Sequence, residues 1–412
     1  MGKNVDKFLN ITHNVLTKKS VKSIISSVIC ILIGLFMGFL LLLITEPSEC
    51  IVGITALSFG PLIGLNNFNK YFIGAIARCA PIIMAGLSVL FAYKTGMFNI
   101  GAPGQMIVGG FASVAICLTC PFKNAFTPFL GMLGGIVAGA LWGFLVGALK
   151  ALFNVHEVIA AIMLNYIGTY LVSWLAKKPQ FFNSAIAQTQ YIDPNAVIPT
   201  LGLDKLFPKS YLDISIFIAI IIAILIWFIL NKTTLGFQLK ATGFNKDAAQ
   251  NASMKYKQNI MISMAISGAL AGLGGAILYS SSYSTGIKPE ISLLNQGFDG
   301  ISVALLACLN PIGAIFSGFF IQYIRNAGQI MRIPTSYATE ISDIVIGIII
   351  YCSALTTLII GWFDKMNIKY ELSISNKDRN INKTPKKPPK ETVARISKLE
   401  KPLGENDKEG NE

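Results

Sequence analysis

Apolar runs of about 20 residues recur along the chain between short polar stretches, each long enough as a helix to cross a bilayer core of about 30 Å. The candidate spans are 23–45, 71–92, 104–120, 129–149, 157–175, 212–230 and 260–279, then a broken stretch over 298–324 and a last run over 338–363. Backbone in lipid has to satisfy its own hydrogen bonds, so continuous apolar runs mean helices, and the short alternating pattern of a membrane barrel is absent. The pattern predicts an all-α polytopic membrane protein of about 8 to 10 transmembrane helices, one pair of them broken. Its parts are an N-terminal segment (1–22), a transmembrane domain (23–363) and a polar tail (364–412).

One polar island interrupts the pattern, NKTTLGFQLKATGFNKDAAQNASMKYKQ at 231–258. It holds five lysines against Asp247, and residues 1–22 hold five lysines against Asp6. Lysine-rich loops stay on the cytoplasmic side, so both segments are expected there, and six crossings lie between them, which is consistent. Segments 46–70 and 176–211 then face outward, with Lys177 and Lys178 against the charge bias. The first apolar run is too long for a cleaved signal peptide and no small-residue cleavage site follows, so it is read as a retained helix. The tail carries PKKPPK and no apolar periodicity, which predicts disorder in the cytoplasm. An even number of crossings must therefore follow the island. A break at Leu309-Asn310-Pro311, where proline removes a backbone donor, supplies it by dividing the stretch into half-helices 298–309 and 311–324.

Composition narrows the chemistry. The chain of 412 residues is 53% hydrophobic and 13% charged, and its net charge of +13 sits mostly outside the spans. On a membrane protein that charge marks cytoplasmic loops rather than nucleic-acid binding. Cys117 and Cys120 form a C-x-x-C with no second Cys or His pair, read as small apolar residues and not as a metal site. His13 lies in the N-terminal segment. In NVHEVIAAIMLNYIG, Asn154 is read as an N-cap and Glu157 as the third helical residue, close to a capping box. There is no nucleophile elbow, no zinc-protease motif and no phosphate loop, since Gly-Lys occurs only at Gly2-Lys3, so the chain is not expected to be an enzyme or to hydrolyse ATP. The main charges inside the spans are Arg78, Asp299, Glu340 and Asp343, few for a proton- or sodium-driven carrier, which points to an energy source outside the chain.

Two stretches predict close helix packing: Gly135, Gly139, Gly143 and Gly147 recur every fourth residue, and Gly268 and Gly272 share a face of SGALAGLGGA. FNIGAPGQM (98–106) is too glycine-rich for ordinary helix, with Pro103 suited to a helix's first turn near Gly104. Asn99 and Gln105 there, and Asn165 in MLNYIG, can bind a polar neutral ligand or tie helices together.

FNIGAPGQM, HEVIAAIMLNYI, LGFQLKATGFNKDAAQNASM, SGALAGLGGA and FDGISVALLACLNPIGAIFSGFF, in that order over residues 70–360, resemble the signatures of ABC importer permeases of the branched-chain amino acid, ribose and nucleoside group. The first two are most similar to permeases of bacterial nucleoside importers that work with a receptor lipoprotein. Two departures stand out. Pro103 occupies a place where the family often has Glu, and Ser253-Met254 replaces Gly-Ile within the island.

The resemblance implies a type II-like permease in the bacterial plasma membrane, with both termini cytoplasmic. It implies a separate ATPase that binds ATP and magnesium, a second homologous permease, and an extracellular substrate-binding lipoprotein, with no cofactor in this chain. The island becomes the coupling loop: Asn245 caps a helix beginning near Lys246, with Asp247 next, and Ala248 and Ala249 present a small face to a groove on the ATPase. Asn99, Gln105 and Asn165 are the expected pathway residues, followed by Asp299, which opens a half-helix and can equally serve as its cap. The transported solute is expected to be a nucleoside. Permeases for simple sugars or branched-chain amino acids share part of the motif set; the near absence of paired charges inside the spans argues against an ATP-independent secondary transporter or channel, and a non-transporting scaffold or receptor would leave the broken helix and FNIGAPGQM without purpose.

Overall fold

The computed structural model describes residues 19–62, 68–284, 286–338, 340–354 and 361. The expectations for residues 1–18, for most of 355–363 and for the tail 364–412 lie outside the described residues. The chain divides into two compact units, 1–30 together with 354–412, and 31–353. The first contributes to the described residues mainly the start of the first helix; the second is the helical body described below.

Helix α1 (Lys19–Thr45) is followed by α2 (Cys50–Phe59), a turn of π-helix at Asn69–Ile73, α3 (Gly74–Tyr93), α4 (Ala102–Thr119), α5 (Thr127–Phe153) and α6 (Glu157–Ala176). After a connection holding one pair of two-residue antiparallel strands come α7 (Ser215–Lys232), α8 (Thr234–Phe244), α9 (Lys246–Asn251) and α10 (Tyr256–Ser280). The broken pair α11 (Asn295–Leu306) and α12 (Pro311–Met331) and finally α13 (Glu340–Ala354) complete the described order. Seven of these segments are long and apolar enough to cross a membrane: Ile25–Thr45, Asn69–Tyr93, Ala102–Thr119, Thr127–Phe153, Glu157–Ala176, Ser215–Lys232 and Tyr256–Ser280.

Helix α3, with the π-turn before it, is the axis of the body. It is almost wholly buried, contacting α10, α11, α12 and α7. The most extensive pairing is between α5 and α10. There the two expected glycine faces meet each other: a Cβ added to Gly139 would lie 2.3 Å from the Gly268 carbonyl oxygen, and one added to Gly272 would lie 2.2 Å from that of Gly135. With only hydrogens at these positions the two backbones touch, which is how helices gain van der Waals contact in a lipid solvent as apolar as their own side chains. The opposite face of α5 exposes Leu133, Val137, Leu141 and Phe144, as a lipid-facing helix surface requires.

The break falls at 307–310. Cys308 and Leu309 take left-handed φ values of 49° and 58°, and Asn310 caps α12 by accepting from the Ile312 N–H at 3.0 Å. Proline at the first position of α12 costs nothing there, because that N–H has no helical acceptor. The half-helices are not those expected, since α11 starts three residues earlier and α12 runs seven residues further.

Two other expectations are corrected. Asn154 is not an N-cap: α5 continues to Phe153, and Asn154 ends it in the left-handed conformation (φ 55°) that asparagine tolerates. His156 caps α6 instead, accepting from the Val158 N–H, and Glu157 pairs with Lys150 across the turn at 2.8 Å. The segment 46–70, read only as an outer connection, contains α2, too short to span and packed on α12. Asp213, just before α7, is fully buried and accepts from the Ser215 N–H at 3.0 Å; burial pushes its carboxyl above the usual carboxylate range.

Candidate functional site

The glycine-rich turn between α3 and α4 is built around one amide. Gly96 turns the chain with φ 74°, and six residues later α4 begins at Ala102 with Pro103 in its first turn. Asn99, fully buried, accepts from the Gly101 N–H at 3.1 Å, fixing the turn locally. Its Nδ2 lies within donating reach of Gln105 Oε1 (2.8 Å), Ser88 Oγ on α3 (2.9 Å) and Ser267 Oγ on α10 (2.7 Å). Gln105 Nε2 donates back to Asn99 Oδ1 at 3.1 Å, making a reciprocal amide pair.

Asn165 of α6 joins from the other side. Its Oδ1 accepts from the Gly104 N–H at 2.9 Å, satisfying one of the donors that a helix's first turn leaves open, and its Nδ2 donates to the Ile100 carbonyl at 3.0 Å. The structure thus brings Asn99, Gln105 and Asn165 together on one turn that ties α3, α4, α6 and α10. All three amides spend their hydrogen bonds inside the protein, so a polar neutral solute meets them only if partners are exchanged. In a dry interior that exchange is favourable only for a solute that replaces the lost bonds.

Asp299 does not join this group. Because α11 starts at Asn295, the aspartate stands beyond the capping position, and its carboxylate pairs with Arg325 of α12, whose Nη1 meets Oδ2 and whose Nη2 lies 3.0 Å from Oδ1. Arg325 Nη2 also reaches Asp343 of α13 at 3.3 Å. The expected shortage of paired charges inside the body is therefore corrected: one bidentate pair clamps the broken helices together. Arg325 falls just past 324, the expected end of the half-helix, on the part of α12 that continues to Met331. Pro103, in the place of the expected acid, packs against α11: a Cβ on Gly297 would lie 2.6 Å from Pro103 Cα.

The island folds as two helices. Asn245 caps α9, its Oδ1 accepting from the N–H groups of Asp247 and Ala248 at 3.0 Å each. Lys246, Asp247 and Ala248 are exposed, but Ala249 is buried against the body, so the two alanines do not share a face. The exposed apolar groups are instead Phe237 and Phe244 of α8, two turns apart on one face, with Phe244 90% exposed. Sequence reasoning passed over both, although a spacing of seven in a polar loop was the available signal. Ser253, where the family has glycine, holds the left-handed conformation (φ 60°) that glycine adopts freely, so the turn survives the departure.

Island and turn touch directly. A Cβ on Gly243 would lie 2.6 Å from the Lys94 carbonyl oxygen and 2.8 Å from the Gly96 nitrogen. Asn259 of α10 donates to Thr242 at 2.9 Å, and the Thr95 and Ser263 hydroxyls lie 2.6 Å apart. A displacement of α8 therefore presses on the segment that carries Asn99 three residues later.

Residues 71–354 match the family described as the branched-chain amino acid transport system permease component. The chain belongs to that family. The permease is 36% identical over 335 residues to the guanosine ABC transporter permease protein NupP of Bacillus subtilis (strain 168), a match covering 81% of this chain and 93% of the relative. It is 32% identical over 340 residues to the nucleoside ABC transporter permease protein NupB of Lactococcus lactis subsp. cremoris (76% and 93%). It is 28% identical over 288 residues to the glucose ABC transporter permease protein TsgB13 of Haloferax volcanii (67% and 73%). No solved structure matches. The permease is thus the multi-pass membrane subunit of an ABC importer and not itself an enzyme; ATP hydrolysis belongs to a separate subunit, and the family implies ATPase and permease partners. Among the described residues no group of three or more His, Cys, Asp or Glu could hold a metal ion.

Proposed function

We propose that this permease imports nucleosides by alternating access, driven by ATP and magnesium bound to the partner ATPase. The observation that carries the substrate is the 36% identity to a guanosine permease along 93% of that relative's length. The groups bonded around Asn99 are neutral amides and hydroxyls, which fit an uncharged polar solute better than a charged amino acid. The likeness to TsgB13 supports glucose as the second reading.

The subunit pairs with a second homologous permease, as suggested by two different guanosine permease proteins of Bacillus subtilis that both resemble this chain. An extracellular lipoprotein delivers the solute in the bacterial plasma membrane, with both termini cytoplasmic. Asn99, Gln105 and Asn165 exchange their mutual hydrogen bonds for the solute as the turn moves. Asp299 acts through Arg325 as a brace of the broken helices and carries no solute.

The coupling surface consists of the exposed Phe237–Phe244 face together with Asn245, Lys246, Asp247 and Ala248, while Ala249 anchors α9 from beneath. Phe244→Glu is expected to lower ATP-driven guanosine uptake by the assembled transporter at least about tenfold, since a buried aromatic anchor at an interface is worth ~2 kcal/mol or more. Folded yield should be unchanged. Ala249→Arg should instead lower the folded yield. Uptake by the Phe244→Glu transporter equal to that of the unaltered one would remove the face from the coupling surface.

A further inference from the structure

A cavity of about 250 Å³ lies between the segment that follows the two short strands and the segment that follows α10. Two main-chain bonds and one to a side-chain hydroxyl tie its walls together: Thr189 N–H donates to the Ile287 carbonyl at 3.0 Å, Ile198 N–H to the Ser280 carbonyl at 2.9 Å, and Ile287 N–H to Thr189 Oγ1 at 2.8 Å. The cavity is thus held open by the fold and not by mobile side chains, so little ordering cost attends filling it. Helices α6 and α10 both run from the island side to this end, which places the cavity on the face opposite the coupling loop.

Its polar lining is Gln190, Tyr191, Tyr279, Ser281, Ser282 and Ser284, and the remaining described lining residues are aliphatic, proline or glycine. No acidic or basic side chain is among them. Two phenol rings supply flat apolar contact, an amide and three hydroxyls supply hydrogen bonds, and nothing there would neutralise a carboxylate, an ammonium or a phosphate. Between Ser282 and Ser284, the Tyr283 hydroxyl is buried without a hydrogen-bond partner among the described residues, beside the Arg78 guanidinium, which lies 5.6 Å from its ring.

We propose that this cavity is an outer reception site in the permease itself, holding an uncharged nucleoside with its base against tyrosine before the solute moves inward. The assignment rests on the nucleoside reading given above. Tyr191, more than half exposed at the mouth, stacks the base; the amide and serine hydroxyls hold the ribose.

The test is equilibrium binding of radiolabelled guanosine and uridine to the assembled transporter in nanodiscs without its receptor, with ATP-driven, receptor-dependent uptake measured on the same preparation. Saturable binding is expected, weakened about tenfold by Tyr191→Ala and retained in Tyr191→Phe, as loss of one base–aromatic stack predicts. Glucose should not compete. Absence of saturable binding while nucleoside uptake proceeds, or equal affinity in Tyr191→Ala, overturns the cavity assignment alone. Absence of nucleoside uptake by the unaltered transporter overturns the nucleoside reading and this site with it.

Discussion

Gly268→Val is expected to destroy the folded permease, leaving little or no monodisperse protein after extraction and no transport. A Cβ at this position would lie 2.2 Å from the Gly139 carbonyl oxygen and 2.9 Å from Gly143 Cα, so the obstacle is backbone on both counts and no side-chain rotation relieves it. The helices would have to separate by more than an ångström, and the same separation would open Gly272 against Gly135 and Gly143 against Met264. Overpacking costs ~1–3 kcal/mol where a core can yield, and here a seam several turns long would yield together. Gly347→Ala is the control, since nothing lies within 4 Å of its added Cβ. Size-exclusion profile and thermal unfolding of the two variants in detergent check the prediction.

The second large effect is at the broken helices. Arg325→Leu leaves the Asp299 carboxylate, only 7% exposed, without its bidentate partner. Removing one member of a buried pair costs about 3–5 kcal/mol, because the remaining charge keeps its desolvation penalty. The expected result is a lower thermal midpoint than either the unaltered permease or the Arg325→Leu, Asp299→Leu double variant, in which no buried charge is stranded, Asp343 being largely exposed. A double variant as unstable as the single one would show that Arg325 matters through its packing and not through the pair.

These two features differ in how legible they were. The fourfold spacing of Gly135 through Gly147 and the Gly268-Gly272 pair were visible along the chain, because a helix face repeats locally. That the two faces meet each other depends on which helices the connections bring together, which no local spacing records. The break was legible at Asn310-Pro311 since a missing N–H and a capping amide act within one turn. Arg325 was not, because the half-helix was ended at the last aliphatic residue, and the cost of a charge beyond it is offset by an aspartate 26 residues earlier.

In the site, the three amides were picked out by residue type at a helix break, and their convergence on one turn appears only once α6 and α10 pack beside α4. Asn154 was misassigned because asparagine suits both ends of a helix, as an N-cap acceptor and as a left-handed C-cap, and only the length of α5 decides between them. The burial of Ala249 is not legible in the sequence, since alanine carries no sign of which side of a six-residue helix is covered.

The central claim is that this chain carries nucleosides across the membrane only when a separate ATPase works on it. The most direct measurement is guanosine uptake into proteoliposomes holding this permease, its partner permease, the ATPase and the receptor, compared with and without ATP inside the reaction. The account predicts uptake that requires both ATP and receptor. Guanosine accumulation that proceeds equally without ATP would contradict it.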